Sequence, residues 1–438
     1  LREKTMAETK TIAIIGGGLA GLTAAAWLAR AGKSVTVFEK TRAVGGRALT
    51  ETRGGFSFNL GPHALYAQGA AARTMRELGL VLNGRRPPLT GGYALAGGAK
   101  HTLPAGFVSM LTTGVLGLTA KFEAMRLLST LDRLDAQALH HVTVRDWLEQ
   151  TVQQPQTRQL VEAFLRVSTY AHDPERMSAG VAIAQLQLAL ASGVLYLDDG
   201  WQALVEQLRQ AAAQAGARFM TGARVVKLEH AGAVEAVQLA QGERVPVSAA
   251  ILATSPAEAA ALVEHDGAGN LHTLASAALP VKAACLDVAL ERLPEPSALF
   301  GLGFDRPFYF SVHSATARLA PAGGALIHVM KYLGATHPDA HAAERELEVV
   351  LDLLQPGWRA VLRERRYLPS LTVAHALPTA QQGGLAGRPK PEDTGVRGVF
   401  IAGDWVGGEG LLADASVASG KRAAELILQK QTLAALAA

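Results

Sequence analysis

A chain of 438 residues, 49% hydrophobic and 18% charged, holds more than one hydrophobic core usually organises, so two folded domains are expected and disorder is excluded. A formal charge of +4, with Lys and Arg scattered and never interleaved with exposed aromatics, excludes nucleic acid as a partner. The single cysteine, Cys285, excludes a disulfide framework and a cysteine-rich metal site; no metal is expected, and a reducing compartment, the cytoplasm, is.

The charged start, Leu1 to Lys10, has no apolar core and reads as no secretory signal, with Met6 as a candidate start. Thr11 to Ile15 then reads as a strand, Leu19 to Ala31 as an alanine-rich helix stopped by Gly32, and Ser34 to Glu39 as a second strand. Together they make a βαβ unit. Gly16, Gly18 and Gly21 occupy its strand-to-helix turn. There the first glycine permits a tight turn, the second lets backbone approach a pyrophosphate, and the third packs helix on strand. The helix start, with Leu19 and Ala20, turns free amides and the positive dipole end toward the phosphates. Glu39, 18 residues after Gly21, ends the second strand beside Lys40, where its carboxylate can accept both hydroxyls of a ribose.

From Ala67 to Ala191 apolar residues recur at helical spacing, in Arg73 to Leu80, Lys121 to Leu139 and Val144 to Val152, and the region reads as mainly helical. Thr102 to Ala120 and Met177 to Leu197 carry no charge and approach the ~20 residues of a membrane span. Pro104, Gly106, Gly114, Gly117, Gln185 and Gln187 favour buried helices instead, with peripheral contact to a bilayer left open. The α/β pattern resumes with a helix at Trp201 to Gln214 and strands at Ala217 to Met220, Val225 to Glu229, Ala233 to Leu239 and Val245 to Ala253. A second mixed region has strands at Lys282 to Leu290, Phe308 to His313 and Ala325 to Lys331 and a helix at Ala342 to Leu354. The strand Val399 to Ala402 and the helix Leu411 to Leu428 close the chain. The expected fold is α/β: a discontinuous Rossmann-like domain (6–66, 196–262 and 392–438) and a mixed α+β substrate domain (67–195 and 263–391).

Arg42-Ala43-Val44-Gly45-Gly46-Arg47, with Gly61-Pro62-His63, resembles the phytoene desaturase and flavin amine oxidase superfamily, and the resemblance spans most of the chain. It implies non-covalent FAD. Gly45, Gly46 and Arg47 would then meet the pyrophosphate, for which an arginine fork is suited. Gly61, Pro62, His63 and Ala64 would run along the flavin ring, with His63 a packed neighbour rather than a proton donor, because nothing in the sequence orients it. Asp199 to Leu204 and then Val225 resemble the second cofactor contact, with Val225 against the adenine, and Ile251 to Pro256, through Ala253, resembles the turn leaving the cofactor domain. Gly403-Asp404-Trp405 and the helix after it look like the closing motif, placing Gly403, Asp404, Leu412 and Ala413 on the flavin and its phosphates.

The resemblance implies hydride transfer from a positioned C–H bond to the flavin, with the protein orienting the bond and excluding water. No cysteine lies in the closing motif for covalent attachment, and Leu412 stands where an aromatic cage residue would hold an amine. The expectation is therefore desaturation or oxidation of a hydrophobic, polyprenoid-like molecule, with oxygen or a quinone as electron acceptor. An amine or protoporphyrinogen oxidase is the alternative. A prenyl-binding escort without flavin is the non-enzymatic one, which the intact Gly16 turn, Glu39, Arg47 and Asp404 oppose. Lys282, 57 residues after Val225, matches in spacing a lysine that holds a water near the flavin in amine-oxidising relatives, so it is the catalytic candidate against an ordinary strand lysine.

Overall fold

The computed structural model describes residues 10–88, 92–263, 270–334 and 339–436. Segments distant in sequence meet in one seven-stranded sheet. Arg218–Thr221, Val35–Glu39, Thr11–Ile15, Arg244–Leu252 and Val399–Ile401 run parallel, and Val234–Leu239 and Val225–His230 extend the sheet as an antiparallel meander. Its first strand alternates between two cores, as a strand covered on both faces must. Ile12 and Ile14 pack under the helices Leu19–Arg30, Trp201–Gln214 and Leu412–Leu436, while Ala13 and Ile15 join the core under the meander. Small residues let two of those helices touch at their backbones: a Cβ on Gly420 would lie 2.2 Å from Ala20 O. Each strand and helix expected here forms within two residues of its reading, except that the last helix runs on to Leu436.

The second seven-stranded sheet runs in the order Leu362–Ala374, Val281–Leu290, Ala325–Leu333, Phe308–Val312, Phe300–Gly303, Gly92–Ala96, Ala99–Thr102. On its strand Val281–Leu290, Ala284, Leu286, Val288 and Leu290 pack against the helix Ala340–Leu354, while Ala283 and Cys285 face Tyr309, Met330 and Tyr332 on the opposite side. That second face looks toward the helical insertion and the first sheet.

The region Ala67 to Ala191 is mainly helical, but Gly92–Ala96 and Ala99–Thr102 form a hairpin that joins the second sheet beside Phe300–Gly303. Leu362–Ala374 escaped notice because Pro369 interrupts its pattern. It is an edge strand, paired only with Val281–Leu290 among the described strands, and its register slips between Leu368 and Leu371, where a proline is tolerated. Thr102 to Ala120 is only partly buried: Met110 and Val115 face the core, but Phe107, Val108 and Leu118 are 71%, 71% and 76% exposed. Among the described residues no helix is long and apolar enough to cross a membrane.

Candidate active site

A cavity of about 650 Å³ runs between the two halves, from the Gly16 turn to the second sheet. At its near end Gly16, with φ of +107°, holds a conformation that favours glycine, and a Cβ there would strike Ala253 O at 2.4 Å. Gly18 lies open, with nothing within 4 Å of where a Cβ would be, so a ligand can approach its backbone. The helix Leu19–Arg30 starts at this point with no side-chain cap, leaving its first amides available. Gly45 N–H donates to Gly17 O at 2.7 Å, docking the second glycine loop onto the first. Buried Glu39 accepts from Gly17 N–H at 2.8 Å and from the Thr41 N–H and hydroxyl, each at 2.8 Å. A carboxylate has about four acceptor sites, so room for a ribose hydroxyl remains. Lys40 pairs with Glu258 across the rim.

Farther in, Asp404 is 1% exposed and takes a bidentate fork from Arg47, with Nη1 at 2.9 Å from Oδ2 and Nη2 at 2.9 Å from Oδ1. His375 adds its backbone N–H at 3.0 Å and places Nδ1 2.8 Å from Oδ1. Burial works against the charge, but Arg47 and His375 outweigh it and hold the Asp404 carboxyl well below the usual carboxylate range. Arg47 also donates to Val373 O at 2.7 Å. Arg47 and Asp404 thus form one ion-paired unit on the cavity wall, where the sequence assigned them separate ligand contacts. Nothing in the sequence marks His375, which reaches the site only because the edge strand Leu362–Ala374 ends beside it.

His63 sits between two carbonyls, Nδ1 3.0 Å from Gly61 O and Nε2 3.1 Å from Arg47 O, with the Trp201 ring 5.1 Å away. Burial lowers its pKa to about 4, against the pull of both carbonyls. The far end of the cavity is apolar, formed by Leu60, Tyr170, Met330, Leu371 and Leu412. Tyr170 and Leu412 hold positive φ of 55° and 56°, a strain of about 1–3 kcal/mol each that surrounding contacts must sustain.

Of the expected cofactor residues, Gly16, Gly18, Leu19, Ala20, Glu39, Lys40, Gly45, Gly46, Arg47, Pro62, His63, Ala64, Val225, Ala253, Gly403, Asp404, Leu412 and Ala413 all line this one cavity. Three expected residues do not. Gly21 lies behind the turn, where a Cβ would strike Gly16 O at 2.0 Å, so it closes the helix onto the turn. Gly61 is a packing glycine, because a Cβ would come within 2.8 Å of Leu371 Cδ2. Lys282 is the larger correction. Strand alternation puts it with Ala284 and Leu286 on the face turned to the helix Ala340–Leu354, away from Met330 and the cavity.

Behind Gly61, buried Asp287 accepts from Arg366 Nε at 3.0 Å and Nη2 at 2.6 Å and from Cys285 Sγ at 3.1 Å, with His328 Nδ1 at 2.6 Å. Cys285, Asp287 and His328 have a ligating arrangement, but the guanidinium already supplies the positive charge that Asp287 requires.

A twin-sheet fold, with a glycine-turn nucleotide site opening onto an apolar chamber at the domain boundary, is the architecture of a two-domain flavoprotein. The family model of flavin-containing amine oxidoreductases matches residues 19–428, and the chain belongs to that family. The phytoene desaturase of Neurospora crassa is 42% identical over 81 residues, 18% of this chain and 14% of that protein. The chain is thus aligned to only about a seventh of that relative's length. An oxidoreductase from Methanosarcina mazei superposes with a TM-score of 0.75 at 18% identity, covering 96% of this chain and 100% of the other. The cyclohexylamine oxidase of Brevibacterium oxydans superposes with a TM-score of 0.72 at 18% identity, covering 97% and 100%. At such identities the superpositions establish the fold alone.

Proposed function

We propose that the protein is an FAD-dependent oxidoreductase that dehydrogenates a hydrophobic small molecule of polyprenoid type at non-covalently bound FAD. The observation that carries the reading is the polarity of the cavity. Its near wall offers free backbone amides and the Glu39 carboxylate, whereas its far end offers apolar side chains and the Tyr170 ring. FAD, when bound, supplies the hydride acceptor. The helix start at Leu19 and Ala20 and the loop Gly45-Gly46 would hold its pyrophosphate, Glu39 its ribose, and Val225 its adenine. Arg47 and Asp404, locked together, would present a fixed charge pattern rather than a mobile arginine. Leu60, Tyr170, Met330, Leu371 and Leu412 would orient the substrate C–H bond and exclude water.

An amine substrate fits this chamber poorly. The carboxylates on the cavity wall are already engaged: Glu39 with Gly17 and Thr41, Glu258 with Lys40, and Asp404 with Arg47 and His375. None stands at the apolar end to hold an ammonium. The second reading, a protoporphyrinogen-type oxidase, shares the apolar chamber and is separated by the substrate alone. The electron acceptor would be oxygen or a quinone.

Anaerobic mixing of the FAD-loaded protein with polyprenoids, porphyrinogens and primary amines tests the reading. Bleaching of the flavin band by the polyprenoids is expected. Bleaching by amines alone would overturn it, and a purified protein showing no flavin absorbance after FAD is added would overturn the cofactor assignment as well.

A further inference from the structure

His63 is held in a way that only a second proton completes. Its two ring nitrogens each lie within hydrogen-bond distance of a carbonyl oxygen, Gly61 O at 3.0 Å and Arg47 O at 3.1 Å. Carbonyls only accept, and a neutral imidazole has one N–H, so in the neutral form one nitrogen directs a lone pair at an oxygen. The imidazolium would donate to both. Against this stands burial, which keeps the ring neutral near pH 7 in the structure.

The charged and titratable groups around His63 are paired. Arg47, beside it, is forked to Asp404, and His375 completes that pair. His328, from the second sheet, is bound to Asp287, which also holds Arg366 and the Cys285 thiol. His313, edge-on to His328 at 4.7 Å between ring centroids, is kept neutral by burial. Among the described residues no free anion in this surround compensates an imidazolium. The charge that changes in this cavity during turnover belongs to the cofactor: hydride transfer leaves the reduced flavin one negative charge richer. An opposite charge close by favours a protonated imidazole by about ten- to thousand-fold.

Resting on the reading of the cavity as an FAD site, we propose that His63 takes up a proton when the bound flavin is reduced, and that its imidazolium then donates to both Gly61 O and Arg47 O. The step balances. Two electrons and one hydrogen nucleus pass from the substrate C–H to the flavin, the second hydrogen of the dehydrogenation leaves the substrate as a proton, and one proton passes from solvent to the lone-pair nitrogen of His63; on reoxidation the electrons and the transferred hydrogen go to the oxygen or quinone acceptor, and the His63 proton returns to solvent. The reduced state is thereby stabilised by a charge that the oxidised state does not carry, and the loops Gly45-Gly46-Arg47 and Gly61-Pro62-His63 are drawn together by the same proton.

The test is an equilibrium reductive titration of FAD-loaded wild type, His63→Gln and His63→Asn from about pH 5 to about pH 8. A dye-based count of protons consumed on anaerobic photoreduction accompanies it. Wild type is expected to consume up to one proton more per two electrons than either variant, with a correspondingly steeper fall of midpoint potential with pH. Equal proton uptake in all three flavin-loaded proteins overturns the proposal while leaving the cofactor reading intact. Wild type that binds no FAD overturns both. Since His63→Gln alters a packed position, flavin content and thermal melting are measured on each variant, and the more conservative His63→Asn must show the same reduced uptake.

Discussion

The two ends of the cavity are built by different means. At the near end, backbone does the work: Gly16, Gly18, Gly45 and Gly46 bring main-chain atoms together, within two short glycine loops that dock on each other. At the far end, side chains from residues as distant as Leu60, Tyr170, Met330, Leu371 and Leu412 converge from different elements and share no motif. A backbone-built site tolerates almost no added atom, whereas a side-chain-built chamber can be reshaped residue by residue. In this protein the first would hold the cofactor common to the family and the second would choose the substrate.

The largest expected effect is at the junction of the two ends. Asp404→Ala leaves Arg47 and His375 facing an uncompensated buried site, and a loss of about 3 kcal/mol in unfolding free energy together with weakened FAD retention is expected by denaturant titration and flavin fluorescence. Unchanged FAD affinity would show that the ion pair belongs to neither end. Gly16→Ala is next: a positive φ and a Cβ 2.4 Å from Ala253 O predict about 2 kcal/mol of destabilisation and loss of bound flavin. A variant that binds FAD normally would break the contrast drawn here.

Asp414, in the first turn of the closing helix just beyond Leu412 and Ala413, accepts from Ala71 N–H at 2.8 Å and has one oxygen buried without a partner. Burial raises its pKa to about 6, with Ala71 N–H and Arg73 opposing and Glu409 adding. A folded pKa above the unfolded one means the group's stabilisation is full below about pH 4 and is lost as pH rises through about 6. Asp414→Asn should therefore raise the melting temperature at pH 8, by the equivalent of about 1–2 kcal/mol, and scarcely at all at pH 4.5. An equal rise at both pH values would remove ionisation as the cause.

Smaller still, Tyr170→Phe keeps the ring against Tyr309 and Tyr332, so FAD content should not move while relative turnover of different substrates shifts by less than about tenfold. Lys282→Met should change neither flavin reduction nor reoxidation in stopped flow. A slowed rate would mean that the strand face opposite the cavity contributes to chemistry after all.

Legibility followed the same division. The glycine turn, Glu39, the Gly45-Gly46-Arg47 loop and Gly403-Asp404 are visible in sequence because each needs a residue type at fixed spacing from a strand or helix end. Their family supplied the cofactor. His375 was invisible because its role comes from where the edge strand Leu362–Ala374 ends, and Pro369 obscures that strand. Lys282 was misplaced because spacing from Val225 carries no information about which face of a strand a residue takes. That is settled by pairing with Leu333 and by the packing of Leu333, Ala284 and Leu286 on the helix Ala340–Leu354.

By itself the sequence determined the local geometry of the nucleotide end, since a tight turn, a positive φ or a close backbone approach is a requirement on one residue at a time. Only the tertiary structure decided that Arg47 is spent on Asp404, that His63 lies between two carbonyls, and that Tyr170, Met330 and Leu412 share one chamber. The first and last of these relate residues up to hundreds of positions apart, and all three exist only once both sheets have closed around the cavity.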